Sequence, residues 1–382
     1  MNFNLYGPLM LLTDAASDRR LVAAAADVVQ VPRAEPANSF VLHAPLELVA
    51  RTALLPRVAP ERRAEARQRI RELASNYDAT SPALPPPPAR EFETLAAAAA
   101  RLHDAVEAAD LDEVDAIGAW LGRHATPADL RTLLADEVLT RLSAAAHAPI
   151  FLFHLPRVAP RGELPGELVR PLLRELARFP SWRIEWIDDG SRAGEPRLEP
   201  AARMFDAVAA APRLGIPGSD FIFPLMSQVD RSGVAASLLA DAVGTGDFAG
   251  AARDALRAAA WSMVHEPPDH APYGWSHCLT MPQAVLGIAH VTSDPRRALA
   301  VAATYVVGFR AALAQLPLID HAPPVATDAQ HAFDDVATAA AVHEDAHLVK
   351  YVLACIDAAA WDRSHAGLYL EAARALVRYW TG

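Results

Sequence analysis

Cysteine is almost missing from this chain: 382 residues hold two, Cys278 and Cys355. Two thiols cannot build a disulfide framework, so that class of fold is excluded and a reducing, cytoplasmic setting is expected. Long apolar runs are missing too. The stretch from Val22 to Val31 is interrupted by Asp27 and falls short of the ~18 residues a membrane span requires. The opening residues MNFNLYGPLMLLTDAASDRR lack a basic region and carry Asp14 early, so no signal peptide is expected. Positive charge is in deficit, with 35 Lys and Arg against 46 Asp and Glu and a net charge of −11. That balance argues against nucleic acid or an anionic membrane as partner. The run ERRAEARQRIR at 61–71 interleaves acids with bases and reads as a solvated helix face rather than a phosphate-binding strip.

Several nucleotide and hydrolase signatures are likewise lacking. There is no G-x-G-x-x-G, Walker loop, G-x-S-x-G elbow or C-x-x-C, so a dinucleotide held in a Rossmann domain is not indicated.

What is present is alanine, proline and helical periodicity. Hydrophobic residues make up 52% and charged residues 21%, the balance of a soluble globular protein. The pattern predicts an all-α, multi-helical single domain, open to division into two packed halves at 1–160 and 161–382. Helices are expected over Ser39 to Leu55, Glu61 to Tyr77, Glu91 to Val106, Asp110 to Leu121 and Pro127 to Ala146. Further helices are expected at Leu164 to Phe179, Leu198 to Ala211, Ser232 to Val243 and Phe248 to Met263. The rest are expected at Pro282 to Val291, Pro295 to Leu316, Asp328 to Val342, Asp345 to Ala360 and His365 to Tyr379. SPALPPPPAR at 81–90 reads as an extended proline linker. WRIEWI at 182–187, followed by Asp189-Gly190, is the one hairpin candidate. A weak echo, HAP followed by LPRVAP, occurs near 43–60 and again at 147–160.

The chemistry gathers in histidine. WSMVHEPPDHAPYGWSHCLTMPQAVLGIAH, from Trp261 to His290, holds His265, His270, His277 and His290. Imidazole titrates near neutrality and is the commonest metal ligand. Thr280 with Gln283 three residues on, and Pro282 between them, reads as a capping box that opens a helix. That places His277 on an ordered turn at a helix mouth, flanked by Tyr273 and Trp275.

A second cluster, His343-Glu344-Asp345-Ala346-His347, formally matches the zinc motif H-E-x-x-H. Asp345 is a good helix cap, however, and a cap there puts His343 outside the helix and spoils the one-turn spacing of the two imidazoles. His347, Lys350 and Tyr351 would then share one helix face with Cys355. His43, His147 and His154 lie in apolar helical contexts, where a buried imidazole needs hydrogen-bond partners. Taken singly each reads as a satisfied core residue; three together point to a shared polar interior. His103, His124, His321, His331 and His365 lie beside charged residues or loops and read as solvated.

Four stretches occur in an order that resembles questin oxidase-like proteins. They are SFVLHAPLELVARTA at 39–53, His147 to His154, HCLTMPQA at 277–284 and DAHLVK at 345–350. The resemblance rests on these short runs alone. It implies a helical, histidine-bearing oxidoreductase that performs oxygen-dependent, Baeyer–Villiger-type cleavage of anthraquinones and related aromatic polyketides, with NADPH as reductant.

These observations set the expectations. His277, His347, Tyr273 and Lys350 are candidate catalytic groups, and Trp275, Phe151, Phe153 and Tyr351 candidate walls for a flat aromatic substrate. His43, His147, His154, His277 and His347 are candidate ligands for iron or zinc, with His277 and His347 expected to approach each other across 70 residues of sequence. Two other readings stand beside the oxidoreductase: a metal-dependent hydrolase using the 343–347 cluster, and a non-enzymatic helical protein that binds a small molecule.

Overall fold

The computed structural model describes residues 16–34, 39–158, 166–188, 203–215, 222–243, 247–322 and 329–382. Among them the fold is all-α, with no strand. The chain divides into two compact units. The first comprises Leu9–Arg183 and Ala341–Val349; the second contains Ile184–Ala340 and Lys350–Gly382.

The first unit is built on α1 (Ala16–Val29), α2 (Ser39–Leu54), α3 (Arg63–Asp78), α4 (Leu95–Glu107), α5 (Leu111–His124), α6 (Pro127–Val138), α7 (Ala148–Val158) and α8 (Arg170–Arg178). Local chemistry starts several of them. Thr94 and Asp110 accept N-terminal amides of α4 and α5. Thr126 and Asp129 form a reciprocal capping box with Pro127 at the first position of α6. The 81–90 stretch is extended and touches Arg33 through a single bridge at Ala83.

The second unit is built on α9 (Met204–Ala209), α10 (Ile222–Ser232), α11 (Val234–Val243), α12 (Phe248–His265), α13 (Pro272–Ile288), α14 (Pro295–Leu313), α15 (Ala329–Val342), α16 (Ala346–Trp361) and α17 (Ala366–Thr381). The last two residues of α15 and the first turn of α16 belong to the first unit. In the second unit α13 and α14 form a hairpin in which Cys278, Ala284, Ala302, Ala303 and Tyr305 are fully covered.

Four expectations are corrected. The strand expected at 182–187 does not form among the described residues: Arg183 makes one isolated bridge to Arg141, and the backbone amides of Glu185 and Trp186 donate to the Asp230 carboxylate. A side chain thus satisfies donors that a partner strand would have taken. The expected turn at Asp189-Gly190 lies outside the described residues. Gly215 to Asp230, with Phe223 and Met226, reads in sequence as a loop-rich stretch, yet from Ile222 it is helical, as α10.

The third correction concerns 127–146, which is not one helix. α6 ends at Val138, and the chain turns through Ala144, Ala145 and Ala146 with φ of 53°, 50° and 55°. Alanine favours the right-handed helix, so packing here overrides local propensity.

The fourth concerns α13, which begins at Pro272 rather than near Pro282. Thr280 does not cap; its hydroxyl donates back to the Ser276 carbonyl one turn earlier. Pro282 is carried inside the helix, where it has no N–H for the Cys278 carbonyl. His277 therefore sits within a helix and not at its mouth.

A left-handed alanine is disfavoured by roughly 1–2 kcal/mol, and glycine is not. Ala145 is only half-buried, so it has little packing to lose. Ala145→Gly is expected to raise stability by about 1 kcal/mol in a denaturant melt. A loss of stability would contradict the conformation given for this turn.

Candidate functional site

The polar interior of the first unit starts from α2. His43, Glu47 and Arg51 stand at i, i+4 and i+8, so one helix face carries all three. All are buried. Glu47 accepts from the Arg51 guanidinium at 2.7 Å. The remaining guanidinium donors reach 290 residues along the sequence. They bond the carbonyls of Ala341 at 2.9 Å, His343 at 2.8 Å and Glu344 at 3.4 Å. Arg69 of α3 adds a bond to the Val342 carbonyl at 2.8 Å. Two arginines thus fasten the turn that precedes α16.

That turn presents His347. The His343 imidazole accepts from the Asp345 amide at 3.0 Å. Asp345 in turn caps α16, accepting from the amides of His347 at 2.8 Å and Leu348 at 3.1 Å. Burial pushes the Asp345 carboxyl up, but the contacts from His347 and the two amides outweigh it and hold it below its ordinary value. His343 lies outside α16, so the 343–347 cluster does not put two imidazoles one turn apart on a helix.

His147 arrives from the left-handed alanine turn, immediately before α7. Its ring centre lies 4.6 Å from that of His43, and the His347 ring centre also lies 4.6 Å from that of His43. The rings are tilted by 57° and 75°. Three imidazoles from three separate stretches therefore meet around His43. Beside them a small pocket is lined by His147, Phe151, Pro45, Leu46, Leu172 and Glu175. It has room for about one water-sized molecule. Burial pushes the Glu175 carboxyl up against the opposing pull of Arg178 and Arg174.

The other expected residues fall as follows. Phe151 lines that pocket; Phe153 and His154 are buried farther along α7, ring edge to face at 4.7 Å. His277, Tyr273, Trp275, Lys350 and Tyr351 belong to the second unit. His277 Nδ1 lies 2.7 Å from the Tyr273 carbonyl, which can only accept, so Nδ1 carries the proton and Nε2 has the lone pair in the neutral ring. Tyr273 is 40% exposed, edge-on to Trp380. Trp275, Lys350 and Tyr351 are buried. The Tyr351 phenol is pushed well up by burial and by the neighbouring Cys355 and Cys278 sulfurs, and burial pushes the Cys278 thiol to about 12. Both groups therefore keep their protons at neutral pH, and Cys278 is not a thiolate nucleophile.

A separate group, His103, Glu107 and Glu137, has ligand atoms within 4.8 Å of one another. Here Arg141 already bridges both carboxylates and Arg183 pairs with Glu107 at 2.9 Å. An ion would have to displace two guanidinium groups, so the His43 group is the better candidate. Glu47 and Arg51 were not among the expected site residues. The readable signal was a pair of opposite charges at helical spacing from His43 on an otherwise apolar helix. No family model, curated protein or solved structure matches the chain.

Removing Arg51 leaves Glu47 buried without its ion-pair partner and three carbonyls short of donors. Arg51→Met is expected to lower stability by about 3–5 kcal/mol, read by denaturant melting, and Glu47→Gln added to it is expected to restore part of the loss. A single variant that melts like the parent would contradict the clamp.

Proposed function

We propose that the first unit holds a transition-metal ion on His43, His147 and His347. On this reading the chain is an oxidoreductase that uses dioxygen on a flat, aromatic, polyketide-like small molecule.

The observation that carries the reading is the pair of 4.6 Å spacings around His43. An imidazole nitrogen bound at ~2.1 Å puts its ring centre about 3.2 Å from the ion. Two such rings have centres about 4.6 Å apart at a right angle and about 5.3 Å apart at the tetrahedral angle. His43 stands at the right-angle spacing from both neighbours. Right-angle ligands belong to octahedral sites, which suit iron better than the tetrahedral preference of zinc.

The donor set fits as well. Neutral imidazoles are good ligands for iron, and three of them leave coordination positions open. When bound, iron would supply the one-electron chemistry that dioxygen requires. The chain's own residues hold and orient: Arg51 fixes the His347 turn, Asp345 caps it, and Phe151 and Leu46 form an apolar wall beside His147.

The resemblance of the His277 and Asp345 runs to questin oxidase-like proteins supports the substrate class and NADPH as reductant. The hydrolase reading is weakened by His343 lying outside α16. No described helix is long and apolar enough to cross a membrane.

The test is elemental analysis of protein made in iron-replete cells, with oxygen uptake measured on a hydroxyanthraquinone with and without NADPH. About one iron per chain is expected, falling to about a tenth or less in His43→Ala and His147→Ala, together with uptake that needs iron. Bound zinc with no oxygen uptake would favour a hydrolase. Metal-free protein that still binds the anthraquinone would leave a binding protein and overturn the metal centre.

A further inference from the structure

A second pair of imidazoles lies within the second unit, independent of the cluster around His43. It forms where the extended segment after α14 is strapped onto the end of α12. The Glu266 carboxylate accepts from the amides of Gln315 and Leu316 at 3.0–3.1 Å. His270 Nε2 donates to the Leu313 carbonyl at 2.6 Å, and Gln315 Nε2 donates to His270 Nδ1 at 2.9 Å. Arg310 donates to the Leu316 carbonyl at 3.0 Å. These bonds deliver His321 to His265, the last residue of α12.

The two rings lie edge to face, with centres 4.9 Å apart and planes at 81°. Trp261, one turn earlier on α12, stacks on His265 at 4.7 Å and approaches His321 at 5.6 Å. His265 is half-buried and His321 exposed. Among the described residues neither imidazole makes a hydrogen bond. Two unpartnered imidazoles side by side are unusual, because each could have been satisfied by water alone without the two being brought together. The 4.9 Å spacing falls between the ~4.6 Å and ~5.3 Å expected for two imidazoles on one ion at right and tetrahedral angles.

We propose that His265 and His321 form an exposed, exchangeable two-imidazole site for a divalent transition-metal ion, with water completing the shell. Among first-row ions Cu²⁺ would bind best, with Ni²⁺ and Zn²⁺ weaker. Occupancy cross-links the strap to α12 without any covalent change. An ion that binds only the folded arrangement stabilises it by mass action. This gives the strap a metal-dependent fastening, and Trp261 lies against the site as a reporter.

The experiment is a Cu²⁺ titration of the full chain carrying His43→Ala, which removes the central imidazole of the other cluster. Binding is followed by tryptophan quenching, by the nitrogen splitting in the electron paramagnetic resonance spectrum, and by the melting temperature. One ion with two nitrogen ligands is expected, with a rise in melting temperature. His321→Ala, an exposed change, is expected to weaken the affinity at least about tenfold and abolish the rise. His265→Asn should do the same, whereas Trp261→Phe should reduce the quenching and keep the two-nitrogen spectrum. A Cu²⁺ affinity and spectrum unchanged by both His321→Ala and His265→Asn would overturn the site. So would binding to the parent so weak that no melting shift appears at tenfold molar excess.

Discussion

The buried guanidinium of Arg51 is the interaction on which the histidine cluster depends. A guanidinium has five N–H donors in a fixed fork and cannot shed its charge, so inside a helical unit it must find acceptors or be expelled. Here it finds a carboxylate one turn back on its own helix and main-chain carbonyls of a segment 290 residues away. Those carbonyls belong to the end of α15 and the turn beyond it, where the helical ladder no longer uses them. The two demands cancel. In doing so they fix the residues ahead of α16, and His347 follows within the same turn.

The same device recurs in each unit. Arg170 of α8 grips Asp115 of α5 through both carboxylate oxygens, at 2.8 and 3.1 Å. In the second unit Arg257 of α12 grips Asp362, just past α16, at 2.6 and 2.9 Å. Alanine-rich helices pack closely but offer few shapes by which one alignment differs from another. Paired buried charges penalise every misaligned alternative, because each would strand an ion in the core. The left-handed turn at Ala144–Ala146 is the counterpart in backbone conformation. Its unfavourable φ values persist because the surrounding packing fixes both ends, and it delivers His147 to His43.

Much of the fold was legible because it is written locally. Asp110, Thr126-Pro127 and Asp294-Pro295 announce helix starts, and the proline run at 81–90 announces its own extended path. What escaped was decided at a distance. The amides of Glu185 and Trp186 pair with Asp230, so an alternating hexapeptide never finds a strand. Pro282 is tolerated inside α13, so Thr280 and Gln283 imitate a cap they do not form. The site was half legible. His43 and His147, with His154, stood out as imidazoles in apolar surroundings, and His347 as part of a His-Glu-Asp-Ala-His run, but no local pattern says that the stretches of His43, His147 and His347 converge. Glu47 and Arg51 could have been noticed as charges on an apolar helix, yet their partners are carbonyls, and carbonyls leave no mark in a sequence.

The central claim is that one ion is bound by the imidazoles of His43, His147 and His347. X-ray absorption of the iron-loaded full chain addresses that ligand set directly. The account predicts outer-shell scattering from at least three imidazole rings, reduced in His147→Ala and in His347→Ala. An iron shell of oxygen ligands with no imidazole scattering, or a spectrum that neither substitution changes, would contradict it.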